Sequence, residues 1–178
     1  MNGPPLLHLR RRDVPVLRVG WVLDGERGVL MSRGYAVIAL DNIKNPINLG
    51  SAMRAAQCYQ ASLILIGGPR MQRIGKIATD TTKAYRHIPT MMVDDVMEHI
   101  PHDCVPVAVD LVEGARSLVN YCHPGRAFYV FGAEDSTLGK RVLERCRDRV
   151  MVPTVGCMNL AASVNVILYD RLAKATRG

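Results

Sequence analysis

The sequence predicts an α/β fold with a mainly parallel sheet and helices on both faces. Short apolar runs alternate along the chain with segments of helical periodicity, which is the pattern of repeated strand–helix units. In the last third of the chain, two such runs pass into glycine-bearing loops, one at Gly132 and the other at Gly156. Ligands of open α/β sheets bind beyond the carboxyl ends of the strands. We therefore expect these two loops to form one pocket, made largely of main chain.

The composition limits the class of protein. The 178 residues suffice for one domain with its own core and a modest extension. No apolar run approaches the ~18 residues that a membrane span needs. The basic run Arg10–Arg12 lacks the apolar stretch that directly follows the charged start of a signal peptide. These observations predict a cytoplasmic protein without a membrane anchor.

Cysteine and histidine usage argues against a metal site. The five cysteines are an odd number without a CxxC pair, and the five histidines contain no HxxxH pair. We expect reduced thiols that pack as small hydrophobic residues, and no bound metal. The net charge of +7 favours a polyanionic partner, with nucleic acid the common case. The alternative is that this charge serves solubility alone.

Residues 1–34 are interpreted as a segment that precedes the main domain at 35–178. The first twelve residues are proline-rich and end in Arg10, Arg11 and Arg12, which suits a basic arm that reaches phosphates. An unstructured terminus with no role is the alternative. Asp24-Gly25 between two apolar runs then predicts a short β-hairpin.

The main domain is predicted to open with a buried strand at 36–40 and a helix after an asparagine-rich loop. Asn48 is the expected N-cap of this helix, with Leu49, Met53 and Ala56 on its apolar stripe. Arg54 lies off that stripe, in the second turn, placed to face a ligand. Asparagines before a helix N-terminus also form a polar site suited to anions and hydroxyls.

Strands and helices then continue to alternate. Further strands are predicted at 62–66, 90–93, 105–109, 128–131 and 150–152, and helices at 77–86, 94–100, 138–146 and 159–175. The last helix carries a wide apolar stripe made of Leu160, Val164, Ile167, Leu168 and Leu172.

Three motifs in this order resemble the SPOUT superfamily of RNA methyltransferases, and within it the TrmH/SpoU branch of ribose 2′-O-methyltransferases. Asn45-Pro46-Ile47-Asn48-Leu49-Gly50 with Arg54 matches the first motif, Phe131-Gly132-Ala133-Glu134 with Leu138 the second, and Pro153, Gly156 and Asn159-Leu160 the third. The chain departs from the family at Thr137, Cys157 and Ala161, which puts individual cofactor contacts in question. The resemblance covers roughly Tyr35 to the C-terminus.

The resemblance implies a C-terminal trefoil knot whose loops bind S-adenosylmethionine, and a homodimer with active sites at its interface. The implied cofactor-binding residues are Phe131, Gly132, Ala133, Glu134, Val152, Pro153, Gly156, Met158, Asn159 and Leu160. The apolar helix 159–175 is expected to supply much of the dimer contact, so a charged residue at Leu168 is expected to yield monomers or insoluble protein.

The resemblance also assigns catalytic residues, and basic residues of the chain are expected to contact RNA. Arg54 is expected to grip a phosphate and steady the developing alkoxide, Asn45 to orient the ribose, and Glu134 either to bond near the motif or to cap its loop. The residues expected to contact RNA are Arg10, Arg11, Arg12, Asn48, Arg70, Arg73, Lys76, Lys83 and Arg86.

The substrate and two other functions stay open at this point. The compact chain resembles small tRNA-modifying members more than larger ribosomal ones, so tRNA is expected and rRNA is the alternative. A non-catalytic RNA-binding or dimerisation protein with the same fold is the second hypothesis. A dinucleotide-binding dehydrogenase is disfavoured because no GxGxxG motif follows the first strand.

Overall fold

The computed structural model describes residues 34–70 and 86–175. These residues form seven strands: β1 (Tyr35–Asp41), β2 (Leu63–Gly67), β3 (Thr90–Val93), β4 (Val105–Val109), β5 (Arg116–Ser117), β6 (Arg126–Phe131) and β7 (Asp148–Met151). The α-helices are α1 (Pro46–Cys58), α2 (Lys140–Arg145) and α3 (Leu160–Ala175). None of the helices described is long and apolar enough to cross a bilayer.

The strands form one sheet in the order β3-β2-β1-β6-β4-β7-β5, with every pair parallel. In its centre Leu40 pairs with Ile66 on one side and with Phe131 on the other. A parallel sheet places the carboxyl ends of its strands at one edge. The loops after β1, β6, β4 and β7 are therefore neighbours, although they are far apart in sequence.

The central strands are apolar on both faces because each face is covered by helices. Side chains such as Ile38 and Leu40 pack in one cluster with α1 and α3. The alternating Val37 and Ala39 pack in a second cluster with α2 and the 3₁₀ turn Val96–His99. The predicted α/β fold with helices on both faces is confirmed.

Helix α1 begins three residues earlier than the sequence predicted. Its N-cap is Asn45, whose Oδ1 accepts a hydrogen bond of 2.9 Å from the backbone amide of Ile47, and Pro46 occupies the first turn. The predicted cap at Asn48 is wrong because proline is best tolerated at the helix start. Arg54 accordingly lies in the third turn rather than the second.

Two predicted helices are shorter in the structure. The segment 94–100 forms only the 3₁₀ turn Val96–His99, which Asp95 caps and which ends before Pro101. Proline disfavours helical backbone in the residue before it. The predicted helix 138–146 is also shorter in the structure, where α2 spans Lys140–Arg145 and starts after Gly139. The predicted hairpin, the N-terminal arm and the predicted helix 77–86, apart from Arg86, lie outside the described residues.

The apolar stripe of α3 is buried within its own chain except at Leu172. Val164 and Ile167 are 0% exposed and Leu168 is 2% exposed, in contact with the sheet and α1. The expectation that these residues form a dimer interface is wrong, and a charge at Leu168 would unfold the chain instead. Dimerisation itself stays a prediction, with Tyr169 and Leu172 the exposed apolar residues of α3. Light scattering on the wild type measures it.

The C-terminal half of α3 is tied to the amino end of the sheet, away from the glycine loops. The Arg171 guanidinium donates to the carbonyl oxygens of Pro124 at 2.6 Å and Gly125 at 2.8 Å. Because both acceptors lie on the turn into β6, this one side chain fixes the helix against the central strand.

A buried histidine completes this anchor. His123 Nε2 lies 2.8 Å from Asp170 on α3, and its Nδ1 lies 2.6 Å from the Tyr129 hydroxyl on β6. Burial lowers the pKa of His123, with Arg171 and Lys174 acting in the same direction, and outweighs the opposing effect of Asp170. Burial also raises the pKa of Tyr129 to about 12.

We expect the free energy of unfolding to fall as the pH drops below 6.5, the usual pKa of histidine. In that range the unfolded chain binds a proton at His123 and the folded chain does not. The stability that is present above the pKa of the unfolded state is therefore lost progressively as the pH falls, until the pKa of the folded state is reached. Urea titrations between about pH 5 and about pH 7.5 measure this slope. His123→Gln should flatten it, and equal slopes in both proteins would contradict the assignment.

Candidate active site

A cavity of about 440 Å³ opens at the carboxyl edge of the sheet. Its wall comes from four segments: the end of β4, the loop after β6, the loop that joins β7 to α3, and the start of α3. The lining residues are Val109, Asp110, Leu111, Phe131, Gly132, Ala133, Glu134, Asp135, Ser136, Thr137, Val152, Thr154, Cys157, Met158, Leu160 and Ser163. The two glycine-bearing loops thus meet in one pocket, as the sequence predicted.

Most residues expected to hold a cofactor line this cavity. Phe131, Gly132, Ala133, Glu134, Val152, Met158 and Leu160 are in its wall. Pro153, Gly156 and Asn159 belong to the same loop but are not among the lining residues. The contribution of β4 was missed, because only the strand order places β4 between β6 and β7.

Asp110 fixes one side of the cavity. Its two carboxylate oxygens accept hydrogen bonds from the backbone amides of Leu111 at 2.7 Å and Leu138 at 2.6 Å. The bond to Leu138 ties the end of β4 to the far end of the loop after β6. The signal in the sequence was a carboxylate directly after a buried strand, where ligands of such sheets bind.

Gly132 allows that loop to close. A Cβ atom at this position would lie 3.2 Å from the side chain of Leu138, which is tighter than ordinary van der Waals contact. A glycine therefore lets Leu138 cover the start of the loop, and the predicted turn at this glycine has a packing reason.

Side chains from all three sequence motifs join in one hydrogen-bonded chain, which we call the asparagine bridge (Glu134, Asn48 and Asn159). Asn48 Nδ2 donates to Glu134 Oε1 at 2.7 Å, and Asn48 Oδ1 accepts from Asn159 Nδ2 at 2.7 Å. Asn159 Oδ1 in turn accepts from the backbone amide of Ala161 at 2.8 Å. A carboxylate only accepts, so the orientation of the Asn48 amide follows from its partners.

Glu134 is held as a carboxylate. Burial opposes its ionisation, but hydrogen bonds from Asn48 and from the backbone amides of Glu134, Lys44 and Asn45 outweigh that effect and lower its pKa. The Lys44 amide donates to Oε2 at 3.1 Å. A carboxyl group with a lowered pKa is a poor proton acceptor at neutral pH, so this geometry suits positioning.

The other two expected catalytic residues lie outside the cavity wall. The oxygen of Asn45 is engaged in the helix cap, and its amide nitrogen is not part of that bond. Arg54 is on the exposed face of α1, the face that also carries Ser51 and Cys58. Arg54 follows Asn48 by six residues, which corresponds to ~9 Å along the helix and about 120° around it. Arg54 and Asn48 therefore lie on different sides of α1.

The described part of the expected RNA-binding set is small. Arg70 Nη1 lies 2.8 Å from an Asp135 oxygen, and Arg86 is exposed beside the undescribed segment. Asn48 uses its amide in the asparagine bridge. The remaining residues of the set, Arg10, Arg11, Arg12, Arg73, Lys76 and Lys83, lie outside the described residues.

The cysteines and potential metal ligands can be checked in residues 34–70 and 86–175. All five cysteines fall in these ranges and are unpaired. The expectation that they pack as small hydrophobic residues is confirmed for Cys104 and Cys146, and is wrong for the exposed Cys58, Cys122 and Cys157. Over the same ranges, no three His, Cys, Asp or Glu side chains are grouped to hold a metal ion.

The chain matches the model of the SpoU rRNA Methylase family over residues 35–169. The 23S rRNA (guanosine-2′-O-)-methyltransferase RlmB of Salmonella typhi is 20% identical over 147 residues, which cover 79% of this chain and 60% of that protein. The chain therefore spans about 60% of the length of this curated relative.

Solved structures share the fold. The SpoU methyltransferase AviRb from Streptomyces viridochromogenes, in complex with the cofactor AdoMet, superposes with a TM-score of 0.70 at 19% identity, over 82% of this chain and 62% of that one. A structure described as giving insights into the 2-OH methylation of C/U34 on tRNA has a TM-score of 0.69 at 19% identity, over 82% and 99% of the chains. The predicted trefoil knot itself stays a prediction.

Proposed function

Because the chain belongs to the SpoU rRNA methylase family, we propose that it is an S-adenosylmethionine-dependent RNA methyltransferase that methylates a ribose 2′-hydroxyl. The observation that carries the proposal is the asparagine bridge, which joins the three motif loops beside the cavity. Because the asparagine bridge is intact, we favour a catalytic protein over a non-catalytic protein that only binds RNA. As substrate class we propose tRNA, with rRNA as the alternative, since relatives and structural neighbours are named for both.

The cavity fits a nucleoside-sized cofactor. Its volume of about 440 Å³ lies within the usual range of small-molecule sites. Its wall offers apolar side chains such as Phe131 and Leu160 together with the main chain after Gly132, which suits an adenosine group. Hydroxyl groups of Thr154 and Ser163 lie in the same wall. S-adenosylmethionine would supply an already activated methyl group there.

The protein's own contribution is positioning and charge. Glu134 stays ionised and accepts a hydrogen bond from Asn48, which is also bonded to Asn159. These bonds fix the first turn of α1 against the loop before α3. A guanidinium offers hydrogen-bond donors and no acceptor, so Arg54 would grip an RNA phosphate and stabilise the developing alkoxide rather than act as a base. The lowered pKa of Glu134 makes it a poor proton acceptor, so the hydroxyl proton would be lost to bulk solvent as the methyl group is transferred.

Calorimetry tests the cofactor site. We expect S-adenosylmethionine or its demethylated product to bind in the presence of a chelator, because residues 34–70 and 86–175 group no three potential metal ligands. Gly132→Val should weaken binding by ~10-fold or more, since the added side chain meets Leu138. Gly139→Val is the matched control, because a Cβ there meets nothing within 4 Å. An absence of binding heat from the wild type at high ligand concentration would refute the cofactor assignment.

The substrate class needs a separate measurement. Labelled S-adenosylmethionine is supplied with purified tRNA and rRNA pools in parallel reactions. We expect label in tRNA. Label confined to rRNA would support the alternative, and label in neither pool would contradict the proposed activity.

A further inference from the structure

Two cations and one carboxylate from three different loops meet at the rim of the cavity. Lys44 Nζ lies 3.3 Å from Asp135 Oδ2, and Arg70 Nη1 lies 2.8 Å from Asp135 Oδ1. Lys44 follows β1, Arg70 follows β2 and Asp135 follows β6. We call these three residues the rim cluster. Each oxygen of the carboxylate thus has its own cation.

The backbone under the rim cluster is held in place. The Lys44 amide donates to Glu134 at 3.1 Å, and the Arg70 amide donates to Asn42 Oδ1 at 3.2 Å. The side chains nevertheless reach solvent, with exposed fractions of 63% for Lys44, 37% for Arg70 and 35% for Asp135. The two cations are therefore preorganised and accessible to a ligand.

Fold stability does not explain this arrangement. Exposed ion pairs contribute little to the free energy of folding because water screens them and ordering the side chains costs entropy. The hydrogen bond from Arg70, helped by Lys44, lowers the pKa of Asp135, so the carboxylate stays charged at neutral pH. A guanidinium and an ammonium that each face one oxygen of an anion also match two non-bridging oxygens of a phosphate.

We propose that Lys44 and Arg70 form a phosphate subsite for the RNA strand at the cavity rim, and that Asp135 occupies this subsite until the RNA backbone displaces it. The inference rests on the proposed function, since it takes RNA as the ligand. Asp135 lines the cavity next to Glu134 of the asparagine bridge. A phosphate bound at the rim would therefore place the RNA chain beside the cofactor cavity.

Binding of a tRNA transcript by the full chain, measured by fluorescence anisotropy across a salt series, tests the subsite. Asp135→Asn should tighten binding ~3- to 10-fold, because a like charge no longer competes with phosphate. Lys44→Gln and Arg70→Gln should each weaken binding ~5-fold or more and reduce the slope of log Kd against log salt by about 0.7.

The exposed pair of Lys140 and Glu144 on α2, 3.7 Å apart, provides matched controls. Lys140→Gln and Glu144→Gln make the same charge changes away from the cavity wall. They should alter affinity by about 2-fold or less, which separates a local effect from the effect of net charge. In the double variant Asp135→Asn with Arg70→Gln, most of the gain in tRNA affinity that Asp135→Asn produces alone should be lost.

The outcomes separate the subsite from the activity. One outcome is that the wild type binds tRNA while Asp135→Asn binds it no more tightly than Glu144→Gln does. That result would overturn the subsite and leave the proposed function standing. A loss of cofactor affinity in Asp135→Asn, measured by calorimetry, would also overturn it by assigning the carboxylate to the cofactor cavity. A wild type that binds no RNA would overturn the proposed function, and the subsite with it.

Discussion

Replacing Arg54 with alanine is expected to lower the rate of methyl transfer by ~100-fold or more, as the loss of one transition-state donor typically does. Cofactor affinity should stay nearly unchanged, because Arg54 lies on the exposed face of α1 and outside the cavity wall. Single-turnover rates and calorimetry on the same protein separate the two effects. Arg54 would thus act on the RNA side of the reaction.

Two further variants sharpen the result for Arg54. Arg54→Lys should rescue the rate poorly, since a point charge does not reproduce the planar guanidinium fork. Arg147→Ala removes another exposed arginine, directly before β7 at the amino edge of the sheet, and should leave the rate unchanged. Full activity in Arg54→Ala, or a matching loss of cofactor affinity, would contradict the assigned role.

Replacing Asn48 with aspartate is expected to slow methyl transfer by on the order of 100-fold, the cost of a displacement of about 1 Å at a reacting centre. The new carboxylate would face Glu134 across the present 2.7 Å hydrogen bond. Two carboxylates at that distance do not both ionise easily, so the pKa of the pair rises. The rate should therefore recover partly as the pH falls, because one shared proton restores a hydrogen bond.

Asn120→Asp is the control for this substitution. Asn120 is exposed in the 3₁₀ turn Leu118–Asn120, away from the cavity wall, and the same change there should leave the rate unaltered. Rates measured between about pH 6 and about pH 8, with circular dichroism to check folding, give the comparison. An Asn48→Asp protein with a wild-type rate and pH profile would show that the asparagine bridge has no part in catalysis.

The elements of the fold were largely predictable because local patterns encode them. The apolar runs that became β1, β6 and β4, and the stripe that became α3, carry their own periodicity. Local patterns did not indicate which surface the apolar stripe of α3 packs against. The same apolar face suits a dimer interface or the chain's own core, and only the packing of α3 on α1 and the sheet decides between them.

The candidate site was predictable as a pair of loops but not as a set of contacts. Asn48 bonds to Glu134, 86 residues away, and to Asn159, 111 residues away. No local pattern distinguishes a capping asparagine from a bridging one, so the helix cap was expected at Asn48 although Asn45 holds it. Asp110 was missed because its position in the wall depends on the strand order, which places β4 beside β6.

Alkaline hydrolysis of RNA methylated by the wild-type protein tests ribose transfer most directly. The 2′-oxygen is the nucleophile that cleaves the adjacent phosphodiester in alkali, so its methylation protects that bond. RNA labelled from S-adenosylmethionine should therefore release the label in an alkali-stable dinucleotide. Release of the label in a methylated mononucleotide would place the methyl group on a base and contradict transfer to the ribose.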